Sequence, residues 1–349
     1  MLQDVFRKFP AEGEATDFIL LKGGHINSSY LVLTDKGEKY VLQRINREVF
    51  PNVEAIMDNL QQLREHLHRQ NDALPMIDYI DTRRGEAFYE DGEGGAWRLY
   101  RYVDDSYTLE QADSGETLFE CALAFGRFQY ALRDFPAERL AETIPRFHDT
   151  PDRYRRLYDA AGKDPCGRLA QVSREMSFVS AREKRAGRLH ACRQRGELPL
   201  RVTHNDTKLS NVLLDGRTGK ARCVIDLDTV MPGLAAYDFG DLVRSGASVA
   251  AEDDPDNRID LGRCEAISRG FLRACPHFSA RERELLPLGA YTITLECGVR
   301  FLTDYLNGDL YFRIHDPEQN LRRARSMFAL VADMEEKWEK IEKISKELT

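Results

Sequence analysis

Residues 202–228, VTHNDTKLSNVLLDGRTGKARCVIDLD, decide how the rest of this chain is read. They hold His204, Asp206 and Asn211 in the order H-x-D-x-x-x-x-N, followed by a short hairpin and an apolar run that ends at Asp226. The hairpin brings Asp226 back beside the loop that carries Asp206. These residue types at this spacing suit phosphoryl transfer, which needs an acceptor for a hydroxyl proton, ligands for a divalent metal and rigid positioning. Asp206 is the candidate for the first task, and Asn211 and Asp226 for the second. Lys208 is placed to neutralise a transferring phosphoryl group. His204 is expected to anchor the loop by hydrogen bonds rather than to react. Asp228 stands open between assisting the metal or substrate and capping a turn.

Upstream, the chain reads as strands with one helix. FILL (18–21), SYLVL (29–33) and YVLQRI (40–45) are short strands, with KGGHINS (22–28) and DKGEK (35–39) as turns between them. A glycine loop that joins strand to strand differs from the Rossmann and Walker loops, which join strand to helix. Gly23 and Gly24 would let the backbone close over phosphates. His25, Asn27 and Ser28 are candidates to donate to phosphate oxygens or to touch the acceptor. Asn52 caps an expected helix whose buried face is Val53, Ile56, Met57, Leu60, Leu63 and Leu67, with Glu54 in its first turn. A further strand over 96–103 leads out of this region, and the backbone of 100–103, Arg101 and Tyr102 included, is expected to meet adenine.

Beyond about residue 104 the pattern becomes helical and charge-rich, over 115–134, 150–162, 167–195, 260–274, 280–306 and 317–345, interrupted by the stretch 199–229. Asp238 and Asp241, in YDFGD, imitate a metal-binding motif, but Asp226 already fills that role; they are expected to brace the catalytic loop through backbone hydrogen bonds.

The 349 residues suffice for two lobes around a cleft, and 42% hydrophobic residues suffice for a core. A net charge of −8 disfavours a nucleic-acid partner. The seven cysteines include no C-x-x-C pair, which speaks against a disulfide framework or zinc cage and for a cytoplasmic protein. The N-terminal residues lack the apolar core of a secretory signal, and no apolar run reaches a membrane-spanning length, so no membrane partner is expected.

GGHINSSY (23–30), HNDTKLSNVLLD (204–215), VIDLDT (224–229) and YDFGDLVR (237–244) together resemble the aminoglycoside/choline-kinase-like phosphotransferases. The resemblance implies an α+β, protein-kinase-like bilobal fold. Its small antiparallel-sheet N-lobe would span 1–103 and bind nucleotide. Its larger, mainly helical C-lobe would span 104–349 and carry catalysis and acceptor binding. It also implies ATP and Mg2+ as cofactors and a small-molecule hydroxyl as acceptor. CVIDLDTVMPG (223–233) and ECGVRFLTDYL (296–306) narrow the likeness to bacterial kinases of N-acetylhexosamines, which phosphorylate the anomeric hydroxyl. On that likeness Arg300, Asp304, Tyr311 and His25 join Asp206 as sugar contacts. The strand-three cation of protein kinases appears as Arg44 when V-L-Q-R is aligned with V-A-I-K; Lys39 is the alternative, and Glu54 a candidate partner for Arg44. Choline, an aminoglycoside, homoserine or another sugar remain alternative acceptors, and a nucleotide-binding module without turnover remains the alternative from another class.

Overall fold

The computed structural model describes residues 1–21, 26–69 and 76–348. After a short helix α1 (Leu2–Phe6) come β1 (Ala15–Leu20), β2 (Ser28–Thr34), β3 (Lys39–Ile45), helix α2 (Val53–Leu67), β4 (Tyr79–Ile80), β5 (Tyr89–Glu90) and β6 (Ala96–Arg101). They form one antiparallel sheet in the order β1-β2-β3-β6-β4, with β5 also on β6. Side chains alternate between its faces. Tyr40 and Leu42 of β3 and Trp97 and Leu99 of β6 pack outward against Val5, Phe6 and Phe9. Ile45 and Ala96 face the other way, into the main core with α2. Helix α2 begins where Asn52 Oδ1 accepts from Ala55 N at 3.0 Å, and its apolar stripe is buried.

The chain then runs through β7 (Ser106–Tyr107), α3 (Gly115–Ala131), α4 (Thr150–Lys163), α5 (Ser173–Ser180), α6 (Glu183–Ala186), α7 (Arg188–Gln194), β8 (Arg201–Thr203), β9 (Val212–Asp215), β10 (Ala221–Val224), β11 (Met231–Gly233), α8 (Ala235–Gly246), α9 (Leu261–Ala274), α10 (Ala280–Leu306), α11 (Gln319–Glu336) and α12 (Trp338–Glu347). β9 and β10 are the expected hairpin, and β7 pairs with β9, so the chain leaving the first sheet is tied directly to this hairpin. α10 packs against α4, α8, α11 and α12. It is long and apolar enough to cross a bilayer, but 89% of its apolar window is buried inside the protein, as in a core helix. At its contact with α8 the backbones nearly touch. A Cβ on Gly240 would lie 2.4 Å from Gly289 O, and one on Gly289 would lie 2.0 Å from Ala236 O. Only glycine allows this approach, and it seats α8 against the core.

Two expectations about helices need correction, and one further helix was not expected. The single helix over 167–195 is a 3-10 turn at Leu169–Val172 followed by α5, α6 and α7. The one over 317–345 divides at Lys337 into α11 and α12. YDFGD lies on α8, a helix hidden in the sequence by Gly240 and by the glycines at its ends.

Candidate active site

The catalytic loop hangs between β8 and β9. Asp238, buried on α8, receives the backbone N–H of His204 at 2.9 Å and of Asn205 at 2.8 Å, and the amide of Gln129 at 2.6 Å. Thr207 Oγ1 donates to the Asp238 carbonyl at 2.6 Å. His204 is fully buried; with the proton on Nε2 it donates to Ile225 O at 2.9 Å and receives Asp206 N at 3.3 Å on Nδ1. Asn205 takes a left-handed conformation, φ 64°, and its amide donates to Thr229 O at 2.8 Å. The loop is thus fixed from α8 on one side and from the β10–β11 segment on the other.

Asp206 is held at the point of this loop. Lys208 Nζ lies 3.0 Å from its Oδ2, and Asn211 Nδ2 donates to the same oxygen at 2.9 Å. Burial works most strongly against its ionised form, but Lys208, His204 and the bond from Asn211 together outweigh burial and hold the carboxyl below its ordinary range. Burial likewise opposes the charge on Lys208, and Asp206 and Asp226 restore it, so its pKa is raised.

Ile225 N donates to Asn211 O at 2.9 Å, which sets Asp226 beside Asn211. Asp226 is left-handed, φ 60° and ψ 59°, a conformation aspartate tolerates better than most residues and one frequent at functional sites. Among the described residues its carboxylate has no hydrogen bond or ion pair. Burial, with Asp228 and Asp206 nearby, pushes its pKa up to about 6. A carboxylate so placed fits a divalent cation. Among the described residues no group of three or more His, Cys, Asp or Glu is placed to hold a metal, so a cation here would rest on Asp226 and Asn211, with phosphate oxygens and water completing its shell.

Asp228, left open between metal and turn, is engaged by the first sheet. It is 1% exposed, and both its oxygens are taken, by Arg98 Nη1 at 2.6 Å and by Asn27 Nδ2 at 2.8 Å. The expectation that Arg44 reaches phosphate fails on register. Arg44 pairs with Trp97 and Ser28, and its guanidinium lies 5.8 Å from the Trp97 ring on the outward face. Gln43, one residue earlier, points to the opposite face, as does Ser29 across from it, and the two are bonded at 2.8 Å. Ser28 shares the outward face of Arg44. Glu54 is exposed and forms no ion pair with Arg44. Lys39 pairs with Asp104 at 2.6 Å. The Asn27 side chain is engaged by the protein itself, since its Oδ1 also receives Asn46 N at 3.0 Å. Gly23, Gly24 and His25 lie outside the described residues.

Arg101 and Tyr102 line a cleft of about 310 Å³ with Met76, Ile77, Val103 and Cys223. It opens where the first sheet meets β10, a place and size suited to a nucleobase.

On the other side, Arg300 has Phe147, Phe312 and Tyr311 rings at 5.0, 5.4 and 6.0 Å, and no carboxylate partner among the described residues. Tyr311 is 55% exposed. Asp304 does not stand with them as a ligand. It is buried, and it receives Leu310 N and Tyr311 N at 3.0 and 2.9 Å on Oδ1, and Phe312 N and Asn320 Nδ2 at 2.9 and 3.0 Å on Oδ2. It shapes the loop that presents Tyr311. Asp241, too, departs from expectation: it pairs with Arg244, Nε to Oδ1 at 2.9 Å, and not with the catalytic loop. Sequence reasoning missed Arg98 altogether. Its signal was a charge set between Trp97 and Leu99 in a strand otherwise buried there.

A sequence profile described as the phosphotransferase enzyme family matches residues 17–277. Among solved structures, an aminoglycoside phosphotransferase from Alicyclobacillus acidocaldarius subsp. acidocaldarius DSM 446 is 15% identical with a TM-score of 0.67, covering 99% of this chain and 96% of that one. A microcompartment-associated aminopropanol kinase is 18% identical with a TM-score of 0.65, covering 98% of each chain. An amicoumacin kinase in complex with AMP-PNP, Ca2+ and Ami is 15% identical with a TM-score of 0.60, covering 94% and 92%. At these identities the likeness is one of fold: an α+β, protein-kinase-like fold with an antiparallel N-terminal sheet and a helical C-terminal region.

Proposed function

The chain belongs to the phosphotransferase enzyme family, and we propose that it transfers the γ-phosphoryl group of ATP to the anomeric hydroxyl of an N-acetylhexosamine, GlcNAc or GalNAc, giving the sugar 1-phosphate. One observation carries the chemical part of this reading: the Asp206 carboxylate is held by Lys208 and Asn211, near an Asp226 that has no partner among the described residues. In this reading Asp206 orients the acceptor hydroxyl and takes its proton as the phosphoryl group passes in line. An anomeric hydroxyl is more acidic than an ordinary alcohol, so a carboxylate held ionised is an adequate acceptor. Lys208 offsets charge on the transferring group. Asn211 and Asp226 hold Mg2+, which when bound screens the phosphate oxygens. Arg101 and Tyr102 flank the base in a nucleotide lobe taken as 1–103.

The acceptor side of the reading rests on Arg300 and Tyr311 within the lobe 104–349, joined by His25 from the glycine loop of the nucleotide lobe. A guanidinium with its donors unspent beside three rings suits a neutral polyhydroxylated ring, which offers lone pairs to the fork and C–H faces to the aromatics. The same guanidinium would repel choline or a polycationic aminoglycoside at close range. The amicoumacin kinase complex, with nucleotide and divalent cation together, supports nucleotide use by this chain. We place the enzyme in the cytoplasm, with no nucleic-acid or membrane partner. Phosphorus NMR of the product from ATP, Mg2+ and each N-acetylhexosamine tests the reading. The expected result is a sugar 1-phosphate. Turnover on choline, homoserine or an aminoglycoside but on neither hexosamine would overturn it.

A further inference from the structure

We propose that Arg98 is the positioning cation of the nucleotide cleft: from β6 it clamps Asp228, and through Asp228 it holds the turn that presents Asp226. The inference rests on the reading of Asp226 as a metal ligand. It begins from a vacancy of charge on β3. The polar side chain that β3 sends to its inner face is Gln43, while Arg44 and Lys39 are turned to Trp97 and to Asp104. Gln43 is paired across the sheet with Arg98, and Arg98 supplies the charge that β3 does not.

The guanidinium is fully committed. Nη1 donates to Asp228 Oδ1 at 2.6 Å, Nε donates to Gln43 Oε1 at 2.8 Å, and the Tyr79 ring covers it at 5.3 Å. Gln43 Nε2 passes the chain on to Ser29 Oγ at 2.8 Å. Asp228 is equally saturated, since Asn27, just before β2, takes its other oxygen. Arg98 of β6 and Asn27 just before β2 therefore meet on one carboxylate after β10, and Gln43 of β3 and Ser29 of β2 hold Arg98 in turn. Arg98 and Asp228 are each 1% exposed, so the pair is strong only as a pair; either charge alone would be buried without compensation. Two residues before Asp228 the backbone is left-handed at Asp226, a conformation that persists only where its surroundings over-determine it. Asp228 and Thr229, whose hydroxyl donates to His204 O at 2.7 Å, are the anchors that follow it. With both its oxygens held by the first sheet, Asp228 has the place in the site of fixing Asp226.

The test is the double variant Arg98→Met with Asp228→Asn, which removes both charges and leaves neither buried alone. A fluorescent ATP analogue is titrated with and without Mg2+, and backbone hydrogen exchange is followed in the ligand-free protein. We expect the half-saturating Mg2+ concentration to rise about tenfold or more, as on losing a group that orients a metal ligand. Nucleotide binding without Mg2+ should stay within about twofold, and the amides of 226–231 should exchange faster. A double variant with wild-type Mg2+ dependence and wild-type exchange overturns the proposal. Should the double variant not fold, Arg98→Lys carries the test, because a point charge cannot reproduce the fork. A half-saturating Mg2+ concentration there within about twofold of wild type overturns it equally. A wild-type protein that binds no nucleotide would instead sink the proposed function, and this inference with it.

Discussion

Asp238 on α8 and Asp304 on α10 do the same physical work in two regions of the molecule. Each is a buried carboxylate on a core helix, and each fixes a functional loop by collecting its backbone N–H groups. The difference lies in reach. Asp238 holds a loop thirty-odd residues earlier in the chain, around the proton acceptor. Asp304 holds a loop six to eight residues later, around Tyr311. The first loop carries the proposed chemistry and the second the proposed acceptor recognition. Equal insults to the two braces should therefore separate kcat from acceptor KM.

The largest effect is expected at the tip of the first loop. Asp206→Asn should lower kcat by about 10²–10⁴-fold while ATP affinity stays near wild type, since the carboxylate acts on the acceptor and not on the nucleotide. Comparable kcat in the variant would end its assigned role.

Asp238→Asn comes next. Its amide would set a donor against the N–H of His204 or Asn205, and a displaced loop of this kind can cost on the order of 10²-fold in kcat. Steady-state kinetics should show that loss with little change in acceptor KM; a pure KM effect would break the comparison.

Asp304→Asn creates the same clash against Leu310, Tyr311 or Phe312. Here the acceptor KM should rise by roughly tenfold, with kcat and ATP KM nearly unchanged, for the disturbed groups touch only the acceptor side. A fall in kcat matching that of Asp238→Asn would show that the two loops are not separable.

Arg300→Ala should likewise raise the sugar KM far more than the ATP KM, by roughly 1–3 kcal/mol of lost binding if its donors meet sugar hydroxyls. Unchanged acceptor kinetics would remove Arg300 from the site and weaken the hexosamine assignment.

The smallest kinetic effect is expected from a control on α10 itself. Glu282 caps that helix and pairs with Arg201, Nη2 to Oε2 at 3.0 Å. Burial opposes its charge, but the bond from Arg201 prevails and its pKa is lowered. A lowered carboxyl adds stability that is present above the ordinary glutamate pKa, about 4.5, and is lost as pH falls through the folded value. Glu282→Gln should thus cost about 1–3 kcal/mol in thermal unfolding at pH 7 and progressively less below about pH 4.5, without raising acceptor KM. A raised acceptor KM would mean that Asp304 acts by anchoring the helix and not the loop.

Much of the site was open to reading because its spacing is local. His204, Asp206, Asn211 and Asp226 lie within one loop and one hairpin, and a hairpin has little freedom in where it returns its second strand. The same holds for the α2 stripe and for β1, β2 and β3. Reading failed where a role depends on which neighbour a side chain meets. Asp304 looked like a ligand because it shares a helical face with Arg300, and nothing in the spacing shows three N–H groups of a later loop closing on it. Asp241 looked like a brace because Asp238 is one.

The sequence by itself determined the fold class and the candidate chemistry: the change from strands to helices near residue 104, and the acids, the amide and their order along one loop and hairpin. Tertiary structure decided which cation meets Asp228. Strand side chains alternate, so one step along β3 exchanges Arg44 for Gln43 and turns a charge from the inner to the outer face. Which of those two points inward is set by how β3 packs on β6 and α1, far away in the chain. The charge then arrives from Arg98, on a strand that the motif never mentions.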